Sequence, residues 1–222
     1  MGGRLTVLSL MCLPTWGCFT SGAPSETLEV VLPGGAKETA EAGTGPALLA
    51  GGTWAGFRKA DPDEDPSEDP EPAPGPYGGL LNGGLLERPP VDEQIFLIDL
   101  DADGKATRVR ENKYFLPDIY GATIPVDNEF RSASLFGVTF AARSFGVSVE
   151  DAFGIAIEAR VRLFGIYVGR AIIYAWGTGD DRRVDGQFGY LLNFDGGLGD
   201  LLLDTGGDQY PFYAERVDGE GD

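Results

Sequence analysis

The chain has 222 residues, a net charge of −18 and no histidine. So acidic a field repels phosphate backbones, which excludes nucleic acid as a natural partner and argues against docking on anionic lipid through a basic patch. Without His the commonest general base, the Ser–His and Cys–His pairs and the best transition-metal ligand are missing. The 34 Gly and 15 Pro suit many short strands joined by turns. Both cysteines, Cys12 and Cys18, lie near the N-terminus, so the remaining chain carries no disulfide or thiol chemistry.

Met1 to Arg4 and the apolar run Leu5–Leu13 read as a secretory signal segment over residues 1–18. An apolar run of about nine residues is too short to span as a finished transmembrane helix. Thr15-Trp16-Gly17-Cys18 resembles the bacterial lipobox, whose Cys is lipidated and becomes the mature N-terminus. Gly17 and Cys18 fit that pattern, whereas Thr15 replaces Leu and Trp16 is bulkier than the small residue expected. The resemblance implies an acyl anchor on Cys18, the only membrane contact expected, and a place in the cell envelope. Two other readings are plain secretion with cleavage near Ala23 and a buried apolar N-terminal strand.

Residues 19–47 are rich in Gly, Ala, Thr, Glu and Pro and read as a flexible tether with at most one strand, at Leu28–Leu32. The domain expected over 48–222 opens with a strand at Leu48–Phe57. An acidic, Pro-rich insert follows over 61–90; in Asp61–Pro76 repeated Pro and self-repelling carboxylates block ladders and helices. The Gly-Gly-Leu-Leu copies at 78–81 and 83–86 read as an apolar flap. Next come a strand at Gln94–Leu100, a turn at Asp101–Gly104, its hairpin partner at Lys105–Val109 and a strand at Leu135–Ala142. A single helical turn is a competing reading around Val147–Phe153, where Ser148 can cap. From Ile155 to Leu163 an apolar face alternates with Ala156, Glu158, Arg160 and Arg162, the period of a half-buried strand. A turn at Phe164-Gly165, strands at Ile166–Trp176 and Val184–Phe194, and two more at Leu198–Leu203 and Gln209–Val217 complete an antiparallel up-and-down meander. The fold class is therefore all-β, a closed barrel of about eight to ten strands, with a β-sandwich as the alternative.

Gly52-Thr53-Trp54 on the first barrel strand resembles the Gly-x-Trp signature of lipocalins and related calycins. That resemblance implies a Trp closing the barrel base, a late Arg, here Arg216, packed across it by cation–π contact, and a cup for a small apolar ligand. The long insert after the first strand and the absence of a C-terminal helix depart from the family. Trp54, Tyr174, Trp176, Phe188 and Tyr190 are the candidate ligand-binding residues, against the plainer reading of the late aromatics as barrel core. Asp99, Asp101 and Asp103 have the opening spacing of a calcium loop, but position twelve is Arg110, so an Asp-Gly hairpin turn is the better reading and no metal site is assigned. Glu158, Arg160 and Arg162 read as a solvated strand face, one that would be costly against lipid.

No cofactor is implied. The expectation is an exported, lipid-anchored, non-enzymatic barrel that binds a small hydrophobic ligand. A second reading is a structural or assembly component of the envelope that binds a protein partner through the insert and the flap. A third is a small hydrolase using carboxylates, of which only Glu158 lies within a strongly patterned core strand.

Overall fold

The computed structural model describes residues 25–60, 91–110, 123–129, 133–135, 138–193, 204–205 and 209–217. The signal segment with Cys18, the insert at 61–90 and the strand expected at Leu198–Leu203 lie outside the described residues. An N-terminal hairpin, β1 (Thr27–Val31) and β2 (Lys37–Glu41), forms a separate two-stranded sheet. The barrel strands are β3 (Gly52–Arg58), β4 (Gln94–Leu100), β5 (Ala106–Arg110), β6 (Ile124–Pro125), β7 (Ala133–Leu135), β8 (Val138–Val149), β9 (Ala152–Leu163), β10 (Ile166–Gly179), β11 (Arg183–Asn193), β12 (Asp204–Thr205) and β13 (Gln209–Val217).

Every barrel pairing is antiparallel, in the order β6-β5-β4-β3-β13-β11-β10-β9-β8-β7, with β12 beside β11. The first barrel strand, β3, thus pairs with the last, β13, as a closing meander requires, and the sheet curls into a nearly closed barrel. Period-two patterning places the faces. On β9, Phe153, Ile155 and Ile157 enter the interior, where they meet Trp54, Val184, Phe188, Phe212 and Ala214. The alternate residue Ala156 lies outside, with Phe145 and Ile172.

Two-residue turns join β8 to β9 and β9 to β10. Phe164 (φ +48°) and Gly165 (φ +84°) both adopt left-handed geometry, the type I′ arrangement whose twist matches its flanking strands. The helical turn considered around Val147–Phe153 is replaced by strand: β8 runs to Val149 and pairs Val149 with Ala152 across Glu150-Asp151. Ser148 does not cap a helix; its hydroxyl accepts the Leu48 N–H at 3.4 Å.

The segment 19–47 is not a tether from Ser25 onward. Val30 and Ala40 of the hairpin are buried against Phe145, Ala156 and Ile172 on the outer face of β8–β10. Burying apolar area on both sheets outweighs the chain entropy that made a linker plausible. After β2 the chain turns along the free edge of β8: Gly43 N–H donates to Ser144 C=O, and the Thr44 hydroxyl accepts from Gly146 N–H. This stretch wedges into the seam between β8 and the β4–β5 turn. A Cβ on Gly146 would stand 2.5 Å from Pro46 Cδ, and one on Gly45 would collide with the Gly104 carbonyl. Asn128 completes the closure. Its amide donates to Ala106 C=O of β5 at 3.1 Å, while its carbonyl accepts the Ser144 N–H and hydroxyl of β8, each at 2.9 Å.

Candidate functional site

The barrel interior holds a cavity with about 50 Å³ of free space, walled by apolar side chains. Trp54 and Leu49 stand at one end. The indole N–H of Trp54 donates to the Leu49 carbonyl at 3.1 Å, so the ring's one polar group is satisfied by the seam segment. Phe96 and Ile98 of β4, Phe153, Ile155 and Ile157 of β9, and Phe188 and Phe212 of β11 and β13 form the walls. Phe96, Phe188 and Phe212 meet with ring centroids 6.0–6.4 Å apart, in edge or tilted geometry.

Of the residues singled out in the sequence, Trp54 and Phe188 line this cavity. Tyr190 pairs with Ile173 across the β10–β11 ladder, and its side chain lies outside the described residues. Tyr174 and Trp176 do not join the cup. Tyr174 borders the cavity along its strand, yet it stands opposite Ala156 and stacks on Trp176 at 5.6 Å, which puts both rings on the outer face. Strand parity is the reason, since Ile173 and Ala175 take the inward positions between them. Phe96, Ile98, Phe153, Ile155 and Ile157 also line the cavity, and of these Ile155 and Ile157 stand out in the sequence, on the apolar face of their strand. Their signal was the period-two pattern itself, which marks a face without saying that space remains behind it.

Arg216 is the register partner of Trp54, so both belong to the same face at the same barrel end. Its guanidinium rests on the backbone at Gly51 and Gly52, where a Cβ would come within 3.3 and 2.9 Å of it. The cation–π contacts among the described residues pair Arg58 with Tyr210, Arg160 with Tyr167 and Arg183 with Tyr213.

The acidic groups are structural in geometry. Asp99, Asp101 and Asp103 do not converge: Asp101 accepts the N–H groups of Asp103 and Lys105 and so shapes its own turn. Asp99 sits outside the barrel between Arg108 and Arg110, each at 2.7 Å, with the Thr53 hydroxyl at 2.8 Å. Burial pushes its carboxyl upward, but the Thr53 and Arg110 hydrogen bonds and the two guanidinium charges outweigh that and hold it below the usual range. Among the described residues no group of three His, Cys, Asp or Glu side chains could hold a metal ion.

Glu158 is not solvated, contrary to the expectation from its strand face. Its side chain is 0% exposed and pairs with Arg160 at 3.0 Å and Arg170 at 3.4 Å. Ser25, leading into β1, covers it, donating its N–H at 3.1 Å and its hydroxyl at 3.0 Å. A carboxylate saturated by two guanidiniums and two further donors is tied up structurally rather than held free as the acid of a glycosidase pair.

The fold and the cavity together define an antiparallel β-barrel with an apolar interior. Comparison of the chain with protein families, curated proteins and solved structures finds no match.

Proposed function

We propose that this protein is a non-enzymatic, exported barrel that carries a small hydrophobic ligand in its interior. The observation that supports this best is the cavity itself, lined by Leu49, Trp54, Phe96, Phe153, Ile157 and Phe188 with almost wholly apolar surface. Such a space stays dry, and an apolar guest is the occupant it favours. About 50 Å³ of free room suits only a slender guest such as a short alkyl segment, since an apolar cavity that holds a benzene ring needs roughly 150 Å³. Anchorage through Cys18 in the cell envelope belongs to the same reading, on the strength of Gly17-Cys18 after the apolar run.

Native mass spectrometry of detergent-free protein tests it. Wild type is expected to carry an extra mass that leaves on denaturation. Ala175→Leu, which fills part of the cavity from a wall position, is expected to fold and to lose that mass. A wild-type chain of bare mass, or an A175L variant that keeps the adduct, would remove the cavity as the site.

A further inference from the structure

The largest exposed apolar side chains among the described residues flank one glycine: Phe164 is 81% and Ile166 67% exposed, at the tip of the β9–β10 hairpin. Phe164 also holds φ +48°. The first position of a type I′ turn favours Asn, Asp or Gly, and a bulky aromatic there is strained. Phe164 therefore gains neither burial nor backbone ease from its place in this fold.

The charge behind the tip has the opposite sign to that of the molecule. From Ala159 to Ile172 the hairpin carries Arg160, Arg162 and Arg170 and no acid, in a chain whose net charge is −18. Arg162 is exposed and stands opposite Tyr167, whose hydroxyl accepts a hydrogen bond from Arg160 at 3.1 Å. Arg160 and Arg170 face each other across the ladder, a repulsion that Glu158 relieves by contacting both. Below the tip the order is thus apolar residues, then Tyr and Arg. That is the layering of a segment whose rings enter acyl chains while guanidiniums reach headgroup phosphates. The net charge of −18 works against approach to anionic lipid, but at physiological salt fields between exposed charges fade over about 8 Å, so the charge next to the tip decides close contact.

We propose that the β9–β10 tip, Phe164-Gly165-Ile166 backed by the exposed Arg162, docks the barrel on a bilayer surface containing anionic lipid. This contact is independent of the cavity and of any acyl group on Cys18.

The test uses the full chain and phosphatidylcholine vesicles with and without one quarter phosphatidylglycerol. Phe164→Asn creates the Asn-Gly turn that the backbone favours, so its melting temperature should equal or exceed that of wild type. Its partition onto the anionic vesicles should fall at least about tenfold, the factor that about 1.4 kcal/mol represents. Wild-type binding should weaken as salt is raised. In a second readout, Phe164→Trp should show quenching by brominated acyl chains beyond that of wild type, which reports the tip whatever other segments touch the vesicle. Equal partition of F164N and wild type, or no added quenching in F164W, would overturn the proposal. So would a wild-type dimer, without vesicles, that F164N dissociates, since a second copy would then be the partner.

Discussion

The two outer faces of the barrel carry similar charges and treat them differently. On β11, β13 and β3, Lys59 pairs with Asp185 at 2.8 Å and Arg183 with Glu215 at 2.6 Å, while Arg183 lies 4.5 Å from the Tyr213 ring centre. The Asp185 side chain is 42% exposed, and water competes for every partner. On β8–β10, Glu158 makes comparable pairs with Arg160 and Arg170, but the hairpin region that begins at Ser25 lies over it and leaves it fully buried. An alternating charged strand face is thus neither a solvent face nor a buried one by itself. Whether a second layer lands on it decides, and with that the energy of each ion pair changes several-fold.

The largest effect separates these two acids directly. Glu158→Ala leaves Arg160, 8% exposed, without its carboxylate and should cost about 3–5 kcal/mol. Asp185→Ala should cost less than about 1 kcal/mol, because its pairs are open to solvent. Urea denaturation of the two variants measures both, and equal losses would break the distinction between the covered and the open face.

A smaller effect tests whether the covering segment also closes the barrel. Gly146→Ala would press on Pro46 and should cost about 1–3 kcal/mol as overpacking. Amide exchange should quicken at Gly43 and Leu48, whose N–H groups bond to β8. Unchanged exchange at both would mean that the seam does not depend on this wedge.

The smallest effect lies at Asp99 of β4 and carries a pH signature. Asp99 has a carboxyl pKa below its ordinary 3.8 in the folded chain, so the unfolded chain takes up its proton first as pH falls. Its contribution is full above the unfolded value and disappears as pH drops through the lowered folded one. Asp99→Asn should therefore destabilise by about 1 kcal/mol at neutral pH. The gap from wild type should close in acid below the ordinary Asp range. A gap that stays constant down to that pH would show that the charge is not what stabilises.

Much of the barrel was legible along the chain. Ile155, Ile157, Phe188, Phe212 and Ala214 alternate with polar or small residues, and alternation of that kind on strands joined by short turns implies an antiparallel sheet. The Asp101–Gly104 and Phe164-Gly165 turns were equally plain, because Gly permits the positive φ that each requires. The β1–β2 hairpin was harder to read. Lys37–Glu41 buries one residue of five, Ala40, and so presents almost no apolar pattern. The cavity is half legible: Trp54 and Phe188 line it with their rings, whereas strand parity turns the Tyr174 and Trp176 rings outward, and Tyr174 borders it only along its strand.

By itself the sequence determined that this chain makes an antiparallel β meander, with a barrel as its first reading and a sandwich as the alternative, and where most of its strands and turns fall. These follow from local periodicity and turn chemistry, which act over a few residues. Tertiary structure alone decided that residues 25–49 lap and plug the barrel, that Asn128 bridges β5 and β8, and that Glu158 is buried while Asp185 is not. Those outcomes depend on contacts such as Ser25 with Glu158, 133 positions apart. Only the closed barrel brings such residues together, and no local pattern records the meeting.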